Sequence, residues 1–479
     1  MGSGFESYVL FGFMAVMLLV GTGLRAKIKL FQKYLVPAGI IGGILGFIIV
    51  ALGAYFGTSN PDGTVTTALT VGGIPITHKA FNTFVFHAFN ISFMSLLLTP
   101  SKGKEVLPKA IVRGGMWQTC IWSISLAGQA LVGGVIIWGY NVLTNGSLSE
   151  LIGVIATHGY TQGPGQAFVM GTLWETKGGV ADAITIGLIY AAMGFFSAVI
   201  VGVPLARWMV NRGLNTNKRA ALEEEFIVGL MKPETNIPNG RETTHSGNID
   251  TLSFHLAVVG LTYLLTYIEL SWLQTHVKPL FEGNTWLQGL AVLCSLPMFF
   301  VHGLIMGFFV RKAMELCGAG KYLDPVVQTR ITGASVDFLV VATLMAIEFK
   351  VLKEYAAPIF LVCFGVTAFT LWLTIFLGRR LPDLGPERLV TQFGCCCGST
   401  ASGILLLRIL DPDFRTSVAV ELGFFNVAIL VTCAPILFFI APVLYTYSLP
   451  QIFLMYTGFI VVMVGIMALL RILTLRRAW

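Results

Sequence analysis

A chain of 479 residues that is 55% hydrophobic and only 11% charged is not a soluble globular domain, in which about a quarter of the residues are charged. Its mean hydropathy of +0.78 points to a polytopic membrane protein, and its 53 glycines suit helices that pack closely or break. The net charge of +7 does not indicate nucleic acid, because the basic residues sit in short loops between apolar runs, and the eight cysteines form no even framework in exposed loops that would read as a disulfide scaffold.

A helix needs about 20 apolar residues to cross the hydrocarbon core. In chain order, eleven segments qualify. The first four are 8–24, 35–56, 80–98 and 111–138; 8–24 reads as a retained helix rather than a cleaved signal. The others are 183–203, 252–273, 287–310, 326–349, 356–377, 417–440 and 449–472. Two further stretches, 148–174 and 386–410, are apolar but interrupted by glycine. The first holds His158-Gly159-Tyr160-Thr161-Gln162-Gly163-Pro164-Gly165-Gln166, the second Gly394-Cys395-Cys396-Cys397-Gly398-Ser399-Thr400-Ala401-Ser402-Gly403. Neither flank of either break can cross a bilayer alone. Irregular backbone at membrane depth persists only where protein or a water-filled cavity covers it, and a matched pair in the two halves is the best sequence pointer to a transporter's binding site.

Loop charge sets the expected orientation. With the N-terminus outside and the C-terminus in the cytoplasm, only Lys79, Lys177, Lys278, Lys350 and Lys353 of the 31 lysines and arginines face outward. This puts the first break on the outer face and the second on the inner face. The expected fold is an all-α polytopic membrane protein of two inverted five-helix repeats, each with a re-entrant hairpin loop, plus one extra C-terminal transmembrane helix. The units are 1–210, a cytoplasmic linker at 211–250 with room for one short helix, a second repeat at 251–447, and the appended span at 448–479. Lys104-Glu105 before the fourth span echoes Lys353-Glu354 before the ninth. The run from Lys218 to Glu225 reads as a solvated face.

A half-helix that starts at a break points unpaired N–H groups into the cavity and suits a carboxylate, while unwound carbonyls and hydroxyls can replace water around Na⁺. The candidate substrate-binding residues are Thr161, Gln162, Gly163, Gly165 and Gln166 in the first break, with Gly398, Ser399, Thr400 and Ser402 in the second. Arg408 is either a carboxylate partner or an interface anchor. Candidate Na⁺ ligands are Asn90, Asp337, Ser399 and Thr400. Asp337 could equally carry a proton or pair with a basic residue. His87 reads as a packing histidine, and Glu269, Glu348 and Glu421 as span-end residues that reach the interface. Cys395-Cys396-Cys397 lacks the spacing and the partner pair of a zinc site and reads as small, weakly polar filler. No G-x-x-x-x-G-K-[ST] or H-E-x-x-H is present, which speaks against ATP-driven transport by this chain and against an enzyme.

Both loops and the layout resemble the sodium/glutamate symporter family. Gly163-Pro164-Gly165-Gln166-Ala167 is similar to the end of that family's first loop, and Phe393-Gly394 through Gly398-Ser399-Thr400-Ala401-Ser402 to its second. Gly202-Val203-Pro204-Leu205-Ala206-Arg207-Trp208 resembles its exit from the fifth span. The chain differs around Tyr160-Thr161-Gln162 and in its three cysteines. The resemblance implies a homodimer in the cell (inner) membrane whose loop-bearing core moves against a scaffold in an elevator-like cycle. It implies symport of glutamate or a related carboxylate with Na⁺ as coupling ion and no other cofactor. The alternatives are an H⁺- or Na⁺-coupled carrier of another organic anion, such as a hydroxycarboxylate, and, less in keeping with paired half-membrane loops, a channel or membrane enzyme.

Overall fold

The computed structural model describes residues 4–59, 65–99, 109–218, 222–235, 240–282 and 287–472. Lys102, Lys104, Glu105, Arg219, Arg476 and Arg477, which enter the charge and repeat expectations, lie outside them. Nearly all described secondary structure is helical; the exceptions are two short antiparallel strand pairs, Thr58–Ser59 with Val65–Thr66 and Thr70–Val71 with Ile74–Pro75.

The long helices of the first half are α1 (Glu6–Lys27), α2 (Ala38–Tyr55), α3 (His78–Leu98) and α4 (Lys109–Thr144). Two short helices, α5 (Leu151–Tyr160) and α6 (Pro164–Gly178), precede α7 (Ala183–Asn211). The linker contributes one short helix, Glu224–Val228. The second half holds α8 (Thr251–His276), α9 (Leu296–Leu316), α10 (Pro325–Met345) and α11 (Ala356–Gly378). After these come α12 (Gly385–Cys397), α13 (Thr400–Leu410), α14 (Val418–Thr432) and α15 (Leu449–Leu469).

Nine of the described helices are long and apolar enough to cross a membrane, or ten if the bent pair Val418–Thr432 and Pro435–Thr446 is one span, so the eleven expected spans are corrected at three places. The expected span 287–310 breaks at Cys294 and Ser295, and its crossing helix starts at Leu296. Pro297 explains the break: it supplies no N–H and disfavours helix in the residue before it. The expected span 326–349 is a helix of sufficient length, α10, but with Gln328, Arg330 and Asp337 it is too polar to count among the nine. The expected span 417–440 bends by 46°, with Pro435 opening a π-helical turn after the bend.

Capping fixes several starts. Asp250 accepts from the Leu252 and Ser253 N–H groups ahead of α8, and Asp324 from those of Val326 and Val327 ahead of α10. A capping box of Ser448 and Gln451 starts α15. In packing, α1 lies on α2, α3 along α10, and α4 against α11, α14 and α15. The α1–α2 crossing is backbone to backbone: a β-carbon on Gly42 would sit 2.2 Å from the Met17 carbonyl oxygen. Buried Leu, Val, Ile and aromatic side chains from both halves form one main core around α5, α6, α7 and α12.

Candidate functional site

The first break is a turn between α5 and α6. Gly163 has φ 85° and ψ −179°, a conformation that essentially only glycine adopts. Pro164 occupies the first position of α6, where a missing N–H costs nothing and a fixed φ starts the helix. The second break separates α12 from α13. Gly398 (φ −149°, ψ −79°) follows α12, and extended Ser399 caps α13, its hydroxyl accepting from the Ser402 N–H at 3.4 Å.

The two breaks touch. A β-carbon built on Gly163 would lie 3.4 Å from the Gly398 carbonyl oxygen. One side chain of α4 ties them together. Buried Thr161 donates its hydroxyl proton to Gln129 Oε1 at 2.6 Å, and Gln129 Nε2 donates to the Cys396 carbonyl at 2.9 Å and to the Thr370 hydroxyl at 2.8 Å. Trp122 Nε1 donates to the Thr161 carbonyl at 3.1 Å. The helices α6 and α13 both begin at this meeting point, each with first-turn N–H groups that have no acceptor inside the helix. Two positive helix ends therefore start beside one another.

Around the first break several buried polar atoms have no partner among the described residues. They are Gln166 Oε1, His158 Nε2 and Asn90 Oδ1. Gln162 bonds through Oε1 to His158 Nδ1, and the His158 ring lies edge-on to Trp174 at 5.5 Å. Gly165 packs so closely on Phe89 of α3 that a β-carbon would run into the ring; Asn90 is the next residue of that helix. Asn90 Nδ2 donates to the Phe86 carbonyl at 2.7 Å. In the second break Ser399, Thr400 and Ser402 are half-buried, and Thr400 donates to Asn426 Oδ1 at 3.0 Å.

Two candidates stand apart from this group. Arg408 is exposed near the far end of α13, its guanidinium over the rings of Phe226 at 5.4 Å and Phe414 at 5.0 Å. Asp337 is exposed on α10 and makes no hydrogen bond or ion pair with either break among the described residues. His87, expected as a packing residue, is exposed and bonds to the Tyr263 hydroxyl at 2.6 Å. Cys395, Cys396 and Cys397 are buried in the last turn of α12, where Cys396 contributes its carbonyl to the bridge.

The reading of Glu421 as an interface residue is corrected. It is fully buried and takes a bidentate pair from Arg388, Nε to Oε2 at 2.9 Å and Nη2 to Oε1 at 2.8 Å. Ser417 and Gln118 also donate to it, at 2.7 and 3.0 Å. Gln392 Nε2 donates to Gln118 Oε1 at 3.0 Å, and the Cys396 thiol lies 3.8 Å from Gln392 Oε1. A polar chain thus runs from the buried Arg388–Glu421 pair to the second break. The other two glutamates pair with histidines: Glu269 with His302 at 3.0 Å and Glu348 with His78 at 3.1 Å.

Sequence reasoning passed over Gln118 and Gln129. A signal existed, because they are spaced by three helical turns on one face of the span. Nothing local in the sequence marks Arg388 as half of a buried pair, because Glu421 lies 33 residues ahead. The sequence matches no protein-family model and no curated protein.

Proposed function

We propose that this chain is a secondary active transporter of the sodium/glutamate symporter type, which carries glutamate or a related carboxylate together with Na⁺ by alternating access. The observation that carries the reading is the approach of Gly163 to Gly398, because it sets two helix N-termini from distant parts of the sequence beside one another. A carboxylate is favoured at such ends by aligned N–H groups and the helix dipole. In this reading Thr161, Gln162, Gly163, Gly165, Gln166, Gly398, Ser399, Thr400 and Ser402 are the residues that would line it. The unpartnered oxygens of Gln166 and Asn90 are hard acceptors of the kind Na⁺ takes in place of water, and the half-buried hydroxyls of Ser399 and Thr400 add two more.

The packing of α3 on α10 and of α4 on α11 supports an inverted repeat, since each pair joins helices in corresponding positions of the two expected halves. In this reading 148–174 and 386–410 are re-entrant hairpins entering from opposite faces, with the N-terminus outside, the C-terminus inside and α15 appended to the repeat. A homodimer would supply a fixed scaffold against which the loop-bearing helices move.

Uptake into proteoliposomes tests the proposal. Labelled glutamate accumulates under an inward Na⁺ gradient and not under a proton gradient alone; accumulation under neither removes the reading, and accumulation only with protons moves it to the H⁺-coupled class. Ser399→Ala with Thr400→Ala lowers the apparent Na⁺ affinity, and an unchanged Na⁺ dependence removes both hydroxyls from the ion site.

A further inference from the structure

Both breaks leave helix ends that need donors at depth. Thr161 caps the end of α5, and Cys396 lies in the last turn of α12. Carbonyls at such ends have no partner inside their own helix. Both residues are buried, and α4 supplies both donors. Trp122 Nε1 reaches the Thr161 carbonyl at 3.1 Å, and Gln129 Nε2 reaches the Cys396 carbonyl at 2.9 Å. Trp122 and Gln129 are seven residues apart, two turns along one face of α4.

We propose that Gln129 is a positioning residue that couples the two breaks, so that Na⁺ binding raises the affinity for the carboxylate held between them. The inference deepens the transport reading above and rests on it.

The amide itself fixes the direction of the link. A carbonyl can only accept, so the Gln129 nitrogen faces Cys396 and the oxygen faces Thr161, whose hydroxyl donates to it at 2.6 Å. An amide turned over would set two acceptors against one another. Thr370 of α11 and Ser125 also accept from Nε2, at 2.8 and 3.1 Å, which holds the orientation from a second helix. The Thr161 hydroxyl is itself 3.4 Å from the Cys396 carbonyl, so the three groups converge. Gln129 is fully buried, and water does not compete for these bonds.

The two gripped residues occupy matching positions. Thr161 stands two residues before Gly163 and Cys396 two before Gly398, the glycines through which the breaks approach one another. A shift of either leg therefore passes to the other through one amide. An ion held by the oxygens of either break fixes the separation between the starts of α6 and α13, and a carboxylate placed between those starts depends on that separation. By linkage the carboxylate tightens the ion in return.

Calorimetric titration of the purified full chain with glutamate, in Na⁺ and in choline, reads the coupling as a ratio of two affinities. The unaltered chain should bind glutamate at least about tenfold more tightly in Na⁺. Gln129→Met, close in size and unable to make either bond, should lower that ratio about fivefold, the worth of one hydrogen bond. Thr161→Val, a milder change that leaves Cys396 held, should lower it to a similar extent. The double variant should lower it no further, because the two residues form one link. Thr161→Ser, which keeps the hydroxyl, should keep the ratio. A Gln129→Met chain that melts earlier but keeps the ratio overturns the proposal, and so does a double variant whose losses add. Should Gln129→Met fail to fold, Thr161→Val decides alone, and an unchanged ratio overturns the proposal. Glutamate binding that is absent from the unaltered chain, or indifferent to Na⁺, removes the transport reading and this inference together. Coupling that is present in the unaltered chain and survives both single variants removes the inference alone.

Discussion

At the first break the turn depends on the backbone of one residue, Gly163, and on neutral hydrogen bonds that Thr161 accepts from Trp122 and donates to Gln129. At the second break no residue needs a left-handed backbone, and the polar chain behind it ends in a buried ion pair, Arg388 with Glu421. Two interruptions of similar outline are thus held in different ways. The glycine's conformation is intrinsic to the chain, whereas the ion pair is worth its cost of desolvation only while both partners are present. The first break should therefore tolerate changes to its neighbours better than changes to its glycine, and the second break the reverse.

The largest expected effect tests the second break. Glu421→Gln removes the buried charge partner of Arg388, leaving only the exposed Asp383 carboxylate at 3.3 Å, and should destabilise by about 3–5 kcal/mol. Replacing both, as Arg388→Met with Glu421→Leu, should recover most of that loss, because removing a buried pair together can be near neutral. Thermal unfolding of the detergent-solubilised chain checks both. A double variant as unstable as the single one would mean that the pair does more than cancel its own charges.

Next comes the glycine of the first break. Gly163→Ala forces a side chain into a conformation that costs about 1–3 kcal/mol, and it adds an atom 3.4 Å from the Gly398 carbonyl. The same unfolding measurement should show a smaller loss than Glu421→Gln, and an equal loss would erase the contrast between the two breaks. Thr161→Val removes the hydroxyl that donates to Gln129 and should cost about 1 kcal/mol, the net worth of one hydrogen bond and less than the glycine change. Because Gln129 still holds Cys396, the change should loosen the first break more than the second, as hydrogen exchange of the α5–α6 and α12–α13 amides would reveal.

The smallest effect lies away from both breaks. His78, bonded to the Glu348 carboxyl, holds it below its ordinary value of 4.5, with Lys79 and Lys350 helping. A lowered carboxyl contributes stability above its unfolded value and loses it as the pH falls through the folded one. Acid titration below about pH 4.5 should therefore remove at most about 1 kcal/mol through this half-exposed pair, and Glu348→Gln should remove that part of the acid sensitivity.

Much of this was legible in the residues. Long apolar runs locate most crossing helices, because a bilayer demands length and apolarity from each helix by itself. Both breaks were legible too, because glycine, proline and small polar residues clustered inside an apolar segment interrupt the helix that its composition would otherwise favour. The errors have local causes: Pro297 and Pro435 divide runs whose composition alone looked continuous, and α10 carries more polar residues than a lipid-facing helix would. The long-range partners of Arg388, Gln118 and Gln129 were not legible, since Glu421 and Cys396 lie on helices far away in sequence.

The sequence by itself determined that this chain is helical, membrane-spanning and twice interrupted, because each of those properties is a demand on a segment of about 20 residues and its solvent. Only the tertiary structure decided that Gly163 meets Gly398, that Gln129 bridges the breaks, and that Glu421 lies buried with Arg388 rather than at the interface. Those facts depend on which faces of distant helices pack together, and a buried polar group finds its partner by that packing and not by its neighbours in the chain.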